Sequence, residues 1–298
     1  MMSFTADPLR IKPRMLPRIW GRENLAAWCD GAQRPPGAIG EIWLSHPNNT
    51  TAEGEHFGAL MARAPQTVLG ELGRAPPTLR LVLTSEPSHP IVSERPVALW
   101  SIMESPLDSM VTIEDRQRAS IRHARCRRGD LFRVSEHAGL IFGGGVTALE
   151  VRASFVANNQ GSTHAAQRLA GVSGKKERIA WLRDATMSVE VWTLPELSFL
   201  EPDGETCHVM MALSPGVSVD GQNLSRGECI FLPAEGRRLG LSGRGAQVLV
   251  AYPDLAPTKI WERSPPLDPA RAARAHYGAV ALVPADASAF GIAPRLAA

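Results

Sequence analysis

The feature that most constrains this chain is a pattern that occurs twice, about a hundred residues apart. The first copy reads Arg-Gly-Asp-Leu-Phe-Arg-Val at 128–134, and the second reads Arg-Gly-Glu-Cys-Ile-Phe-Leu at 226–232. In each copy a turn leads into a short apolar strand, and a glycine-bearing turn (143–145; 243–245) then precedes a closing strand (146–151; 246–252). Short strands separated by glycine turns are typical of barrels built from β-hairpins. Two copies therefore predict two barrels.

The length and the composition agree with two barrels. A chain of 298 residues, 44% of them hydrophobic, can fill two cores of ordinary size. We predict an N-terminal barrel over 1–152, a helical linker over 153–179, a C-terminal barrel over 180–254 and a tail over 255–298. Helical spacing of apolar residues predicts two short helices at 57–64 and 65–73. The expected fold class is all-β with a few short helices.

The charge balance and the cysteines favour a cytoplasmic protein without a nucleic-acid or membrane partner. The net charge is +2, and the densest basic stretch, 116–128, is interrupted by apolar residues, so we interpret it as a solvated connection. No apolar run approaches the roughly 18 residues that cross a bilayer, and the N-terminus lacks the layout of a signal peptide. Four scattered cysteines without a Cys-x-x-Cys pair indicate free thiols: Cys29, Cys126, Cys207 and Cys229. The pattern does not specify an oligomeric state.

Several segments, taken in chain order, resemble the type I mannose-6-phosphate isomerases, which are tandem cupins. They are Arg-Ile-Trp-Gly at 18–21, Ile-Gly-Glu-Ile-Trp with Ser-His-Pro at 39–47, Pro-Thr-Leu-Arg-Leu-Val-Leu at 77–83, the strands at 129–132 and 146–150, and Leu-Ser-Arg-Gly-Glu with Leu-Pro-Ala at 224–234. The resemblance implies two cupin-type (jelly-roll) β-barrels. It also implies interconversion of mannose 6-phosphate and fructose 6-phosphate with a zinc ion that polarises the sugar oxygens.

The residues that the family uses for this reaction are largely replaced. Only His89 survives from the Gln-Val-His-Pro strand, and Ala98 and Leu140 stand where the family has a Glu and a His metal ligand. Ala and Leu side chains have no atom that can bind a metal. We therefore expect no cofactor, and we expect a catalytically degenerate protein that binds a sugar phosphate, a similar small anion or a protein partner.

An active metal-dependent aldose–ketose isomerase with a rebuilt zinc site is the alternative hypothesis. Four residues near the mouth of the first barrel are the candidate ligands: His46, His89, Glu136 and His137. Neutral imidazoles and carboxylates are suitable zinc ligands. In the competing structural interpretation, the two histidines that precede proline cap turns, and the adjacent pair lies in an exposed hairpin.

Six residues are candidates for binding the sugar phosphate. The resemblance places Trp20 and Trp43 at the sugar-binding wall and leaves Glu150 at its family position, although all three can equally have structural roles. The nearest candidate phosphate donors are Arg80, Arg95 and Arg133, because a guanidinium can donate two parallel hydrogen bonds to a phosphate. His208 is expected to be a structural histidine in a strand of the second barrel.

Overall fold

The computed structural model describes residues 7–25, 28–29, 32–63, 65–71, 73–92, 98–154, 166–169, 174–175, 177–183, 186–202, 204–253 and 261–263. No helix within these ranges is long and apolar enough to span a membrane. The fold is all-β, as predicted, and the two short helices are α1 (Phe57–Arg63) and α2 (Pro65–Leu69).

The first half of the described chain contains eleven strands that alternate with turns. They are β1 (Leu9–Ile11), β2 (Arg14–Arg22), β3 (Ile39–Trp43), β4 (Thr78–Leu83), β5 (Ile91–Val92), β6 (Ala98–Glu104), β7 (Met110–Asp115), β8 (Ser120–Arg125), β9 (Leu131–Val134), β10 (Ala138–Phe142) and β11 (Thr147–Arg152).

The second half contains twelve further strands. They are β12 (Ala166–Leu169), β13 (Gly174–Lys175), β14 (Arg178–Arg183), β15 (Met187–Thr193), β16 (Ser198–Leu200), β17 (His208–Ala212), β18 (Val217–Val219), β19 (Gln222–Leu224), β20 (Cys229–Leu232), β21 (Leu239–Ser242), β22 (Gln247–Pro253) and β23 (Trp261–Arg263).

Each barrel consists of a large sheet and a small sheet. The large sheet of the first barrel has the order β12-β9-β6-β11-β4-β3-β2, and its small sheet has the order β5-β10-β7-β8. In the second barrel the large sheet runs β1-β20-β17-β22-β15-β14-β13, and the small sheet runs β19-β18-β21-β16-β23. All pairings among these strands are antiparallel, as expected for hairpin-connected strands.

Side-chain alternation along the strands separates the barrel interiors from the interface between the barrels. On β4, Val82 belongs to the apolar cluster inside the first barrel, whereas Leu79, Leu81 and Leu83 belong to a larger cluster. That larger cluster also contains Val189 and other residues of the second barrel's large sheet. The two large sheets therefore share one core, because successive strand residues point to opposite faces.

A carboxylate at the end of β6 ties the first barrel to the repeated turn of the second. Glu104 accepts hydrogen bonds from Trp28 Nε1 (3.1 Å) and Thr147 Oγ1 (2.9 Å), and it forms an ion pair with Arg226 (3.1 Å). The guanidinium carbon of Arg226 lies 3.8 Å from the centre of the Trp28 ring. Burial acts to raise the pKa of Glu104, but these donors and the neighbouring guanidinium groups outweigh it and lower the pKa.

Long-range pairing corrects the predicted domain boundaries at three places. Strand β1 lies within the range assigned to the first barrel but pairs with β20 of the second. The range predicted as a helical linker contains two strands instead: β12, which pairs with β9, and β13, which pairs with β14. Residues 155–165, 170–173 and 176 of this range lie outside the described residues. Strand β23 of the predicted tail pairs with β16, and the tail otherwise lies outside the described residues.

Candidate functional site in the first barrel

An arginine on β4 forms the centre of a charged cluster inside the first barrel. Arg80 lies directly opposite Glu150 of β11, and its side chain is on the same face as Val82. Its Nε donates to Glu150 Oε2 (2.8 Å), its Nη2 lies 2.7 Å from the same oxygen, and its Nη1 donates to Glu41 Oε2 (3.1 Å). All three side chains are buried. Two carboxylates from neighbouring strands thus hold one guanidinium in a fixed position.

Two aromatic rings lie close to this guanidinium. The Cζ atom of Arg80 is 4.7 Å from the centre of the Trp43 ring and 5.7 Å from that of Trp100. A second guanidinium, that of Arg152, lies 4.9 Å from the Trp43 ring. These separations are within the range of cation–π attraction. Trp43 is half-buried, so it forms part of the surface that a ligand would meet.

Two further guanidinium groups lie next to this ion-pair cluster. Arg18 donates from Nε to Glu41 Oε1 (2.7 Å), and Arg152 lies against the Trp43 ring that Arg80 also contacts. Burial acts to lower the pKa of Arg80, but Glu150 and Glu41 outweigh it and raise the pKa. Arg80 therefore remains charged.

Three buried polar atoms of this cluster have no hydrogen-bond partner among the described residues. One is Arg80 Nη2, which is close to Glu150; the other two are Glu150 Oε1, an acceptor, and Trp100 Nε1, a donor. Glu150 and Trp100 are directly opposite each other on β11 and β6, and both are fully buried. Because buried polar groups are nearly always hydrogen-bonded, the pair requires a group that can both donate and accept, such as a hydroxyl or a water molecule.

The structure brings together some of the predicted binding residues and separates others. Trp43, Arg80 and Glu150 belong to the cluster, whereas Trp20 is packed in the apolar core of the barrel. Arg133 follows Phe132, which faces the barrel interior, so it lies on the opposite face, on the side of the interface between the barrels. Arg133 is therefore not part of this cluster. Arg95 lies outside the described residues.

The four candidate zinc ligands do not form a cluster. His46 packs edge-on against Trp43, with ring centres 4.8 Å apart, and its Nδ1 accepts from the backbone N–H of Asn48. His89 is exposed in the loop before β5. Glu136 and His137 lie in the exposed hairpin between β9 and β10, where His137 Nε2 is 3.6 Å from Glu136 Oε1. Within the described ranges, no group of three or more His, Cys, Asp or Glu residues is arranged to hold a metal ion.

The positions where the resemblance places two zinc ligands are apolar and fully packed. Ala98 on β6 and Leu140 on β10 are buried in the first-barrel core. They share this core with aromatic residues, including Trp100 and Phe142, whose ring centres are 5.2 Å apart. Side chains without lone pairs in a close-packed environment do not fit a zinc ion.

Four residues in or next to the cluster were not among the predicted site residues, namely Arg18, Glu41, Trp100 and Arg152. Arg152 lies two residues after Glu150 on one strand, so the period of two predicts that it shares the same face. Glu41 and Trp100 carry no such local signal. Their positions depend on the pairing of β3 with β4 and of β6 with β11.

Comparison with known proteins supports the fold. No protein-family profile matches the sequence, and no curated protein is detectably similar to it in sequence. Solved structures do match. The mannose 6-phosphate isomerase from Bacillus subtilis is 16% identical, with a TM-score of 0.62 over 82% of this chain and 99% of that chain. A putative mannosephosphate isomerase from Archaeoglobus fulgidus is 14% identical, with a TM-score of 0.62 over 86% of this chain and 100% of that chain.

A third solved structure contains ligands. The mannose 6-phosphate isomerase from Salmonella typhimurium, bound to its substrate (f6p) and zinc, is 10% identical to this chain, with a TM-score of 0.63 over 83% of this chain and 100% of that chain. At such low identity the similarity concerns the backbone arrangement. The chain therefore has the β-rich, cupin-type fold of the mannose-6-phosphate isomerases.

Proposed function

We propose that the first barrel binds a sugar phosphate or a similar small hydroxylated anion, and that the protein does not carry out the metal-dependent isomerisation. The observation that carries this proposal is the buried cluster of Arg80, Glu150, Glu41, Trp43 and Arg152 inside a barrel whose metal-ligand positions are apolar. The alternative, an active isomerase with a rebuilt metal site, lacks a converging set of ligands among the described residues.

The guanidinium groups of the cluster support an anionic ligand. Arg80 is held in a fixed position by Glu41 and Glu150, and Arg152 lies beside it, against the same Trp43 ring. Arg152 is the candidate donor to a phosphate, because it lies against the half-buried Trp43. Charge-assisted hydrogen bonds from guanidinium to phosphate are among the strong polar contacts in proteins.

The unpartnered atoms of Glu150 and Trp100 support a ligand that carries hydroxyl groups. A hydroxyl can donate to Glu150 Oε1 and accept from Trp100 Nε1, and both atoms are buried without a partner. Leaving such groups unsatisfied costs about 1–3 kcal/mol each. A polyhydroxylated ligand therefore gains affinity in this barrel by satisfying them.

Isothermal titration calorimetry with mannose 6-phosphate and fructose 6-phosphate tests the proposal. We expect the unmodified protein to bind at least one of them and Arg152→Gln to bind at least about tenfold more weakly, because a hydrogen bond to a charged group is worth about 1.5–3 kcal/mol. The matched control is Arg244→Gln, since Arg244 is an exposed arginine of the second barrel that pairs with Glu196. Unchanged affinity in Arg152→Gln, or no binding by the unmodified protein, would contradict the proposal.

A further inference from the structure

The second barrel repeats the charged cluster of the first barrel with its charges exchanged. The two large sheets have the same strand order, so β3 and β4 correspond to β14 and β15. On β3 and β4, Glu41 is opposite Val82, and Arg80 is two residues away on β4. On β14 and β15, Arg178 is opposite Trp192, and Glu190 is two residues away on β15. Hence Arg178 occupies the place of Glu41, and Glu190 occupies the place of Arg80.

Glu190 accepts hydrogen bonds from four side chains. Arg178 Nη2 (2.9 Å) and Tyr252 OH (2.9 Å) donate to Oε1, Trp192 Nε1 donates to Oε2 (2.7 Å), and Arg178 Nε and Arg183 Nη2 also donate. Burial raises the pKa of Tyr252 well above its ordinary value, so the phenol stays protonated and remains a donor. Both oxygens of the Glu190 carboxylate therefore accept hydrogen bonds from protein donors.

Arg183 has a donor that the Glu190 carboxylate does not use. Arg178 and Arg183 both donate to this single carboxylate. The Nε atom of Arg183 is buried and has no hydrogen-bond partner. The side chain of Arg183 is 13% exposed, whereas those of Arg178 and Glu190 are 2% and 0% exposed, so Arg183 is the edge of the cluster that reaches solvent.

We propose that the second barrel holds a separate binding site for a small monovalent oxyanion, such as a carboxylate, at Arg183. The ion is monovalent, because the single guanidinium of Arg183 would contact it. An oxygen of the ion accepts from Arg183 Nε, which supplies the partner that this buried donor lacks. The ion must be small, because Ser188, which lies opposite Arg183 on β15, and Tyr252, which donates to the same carboxylate as Arg183, are both buried. This site lies in the other barrel from the proposed sugar-phosphate site and does not depend on it.

The indole resonance of Trp192 provides a local reporter, because its N–H donates to the carboxylate that Arg183 also contacts. We would titrate the 15N-labelled protein with sodium formate, with inorganic phosphate and, at matched ionic strength, with sodium chloride. The Trp192 signal is assigned from the spectrum of Trp192→Phe. We expect formate to shift this signal in a saturable manner, phosphate to shift it less, and chloride not to shift it.

Two variants separate this site from the first barrel. Arg183→Gln should abolish the saturable formate response, whereas Arg152→Gln, which alters the first barrel, should keep it. Should Arg183→Gln not fold, Arg183→Lys retains the charge without the Nε donor and should weaken formate binding at least about tenfold, since one charge-assisted hydrogen bond is lost. No saturable shift in the unmodified protein, an equal shift with chloride, or an undiminished shift in the Arg183 variants would overturn the proposal. A formate response lost only in Arg152→Gln would also overturn it.

Discussion

Removing the charge of Glu190 should be among the most destabilising single changes in the second barrel. Glu190→Gln keeps the shape of the side chain but removes the carboxylate charge that pairs with Arg178, whose side chain is 2% exposed. Breaking a buried ion pair by removing one partner costs about 3–5 kcal/mol. That is a large part of the roughly 5–15 kcal/mol by which folded domains are stable. We therefore expect the free energy of unfolding to fall by about 3–5 kcal/mol.

Urea denaturation followed by tryptophan fluorescence measures this loss, and the slope with denaturant should stay unchanged because the same surface is exposed on unfolding. The control is Glu196→Gln, which removes an exposed ion pair with Arg244 (side chains 74% and 80% exposed) and should cost less than about 0.5 kcal/mol. Adding Arg178→Met to Glu190→Gln should recover part of the lost stability, since no unpaired buried charge remains at that position. A loss below about 1 kcal/mol, or no difference from Glu196→Gln, would show that the buried ion pair of Glu190 does not stabilise the second barrel.

Further predictions concern the pH dependence, the shared core, a strained glycine and the metal content. The pKa of Glu104 is lower in the folded state than in the unfolded state, so its charged form stabilises the fold above the unfolded value of about 4.3. This stabilisation is lost as the pH falls through the folded-state pKa. The free energy of unfolding should therefore decrease less over this pH range in Glu104→Gln than in the unmodified protein. Leu81→Ala, at the interface between the barrels, should cost about 2–5 kcal/mol in urea denaturation, and a loss under about 1 kcal/mol would argue against a shared core. Gly70→Ala should lower the melting temperature more than Gly73→Ala. Both glycines have positive φ (86° and 58°), but only an alanine Cβ at position 70 would lie 2.5 Å from the Glu205 carbonyl oxygen. Equal decreases in melting temperature would contradict this prediction. Elemental analysis of the purified protein should find far less than one zinc per chain, and stoichiometric zinc that survives a mild chelator would contradict the proposed function.

The turns of the repeated pattern could be predicted because their causes are local. Gly129 and Gly227 have φ values of 89° and 85°, which only glycine adopts without strain. The acid that follows each glycine accepts a backbone N–H three residues earlier: Asp130 from residue 127 (2.7 Å) and Glu228 from residue 225 (2.7 Å). The sequence therefore contains both the residue types and the spacing that position these turns.

The cluster and the exact barrel boundaries depend on contacts between distant parts of the chain. Arg80 meets Glu41 and Glu150 across 39 and 70 residues, and no local pattern specifies which strands pair. The same holds for β1, which crosses to the second barrel although it precedes the first in sequence. The predicted helical linker was wrong where the structure describes it, because β12 gains a partner in β9, and tertiary pairing overrides weak helical spacing.

We propose that the first barrel binds a sugar phosphate but does not isomerise it, and one NMR experiment observes both properties. Mannose 6-phosphate labelled with 13C at C2 is added in excess to the protein in the presence of zinc, and the spectra record saturation transfer from protein to ligand and any new C2 signal. We expect saturation transfer that is diminished in Arg152→Gln, with no fructose 6-phosphate signal above a protein-free control. A fructose 6-phosphate signal that grows at about 1 s⁻¹ per protein or faster, in the ordinary range of enzymes, or the absence of saturation transfer, would contradict it.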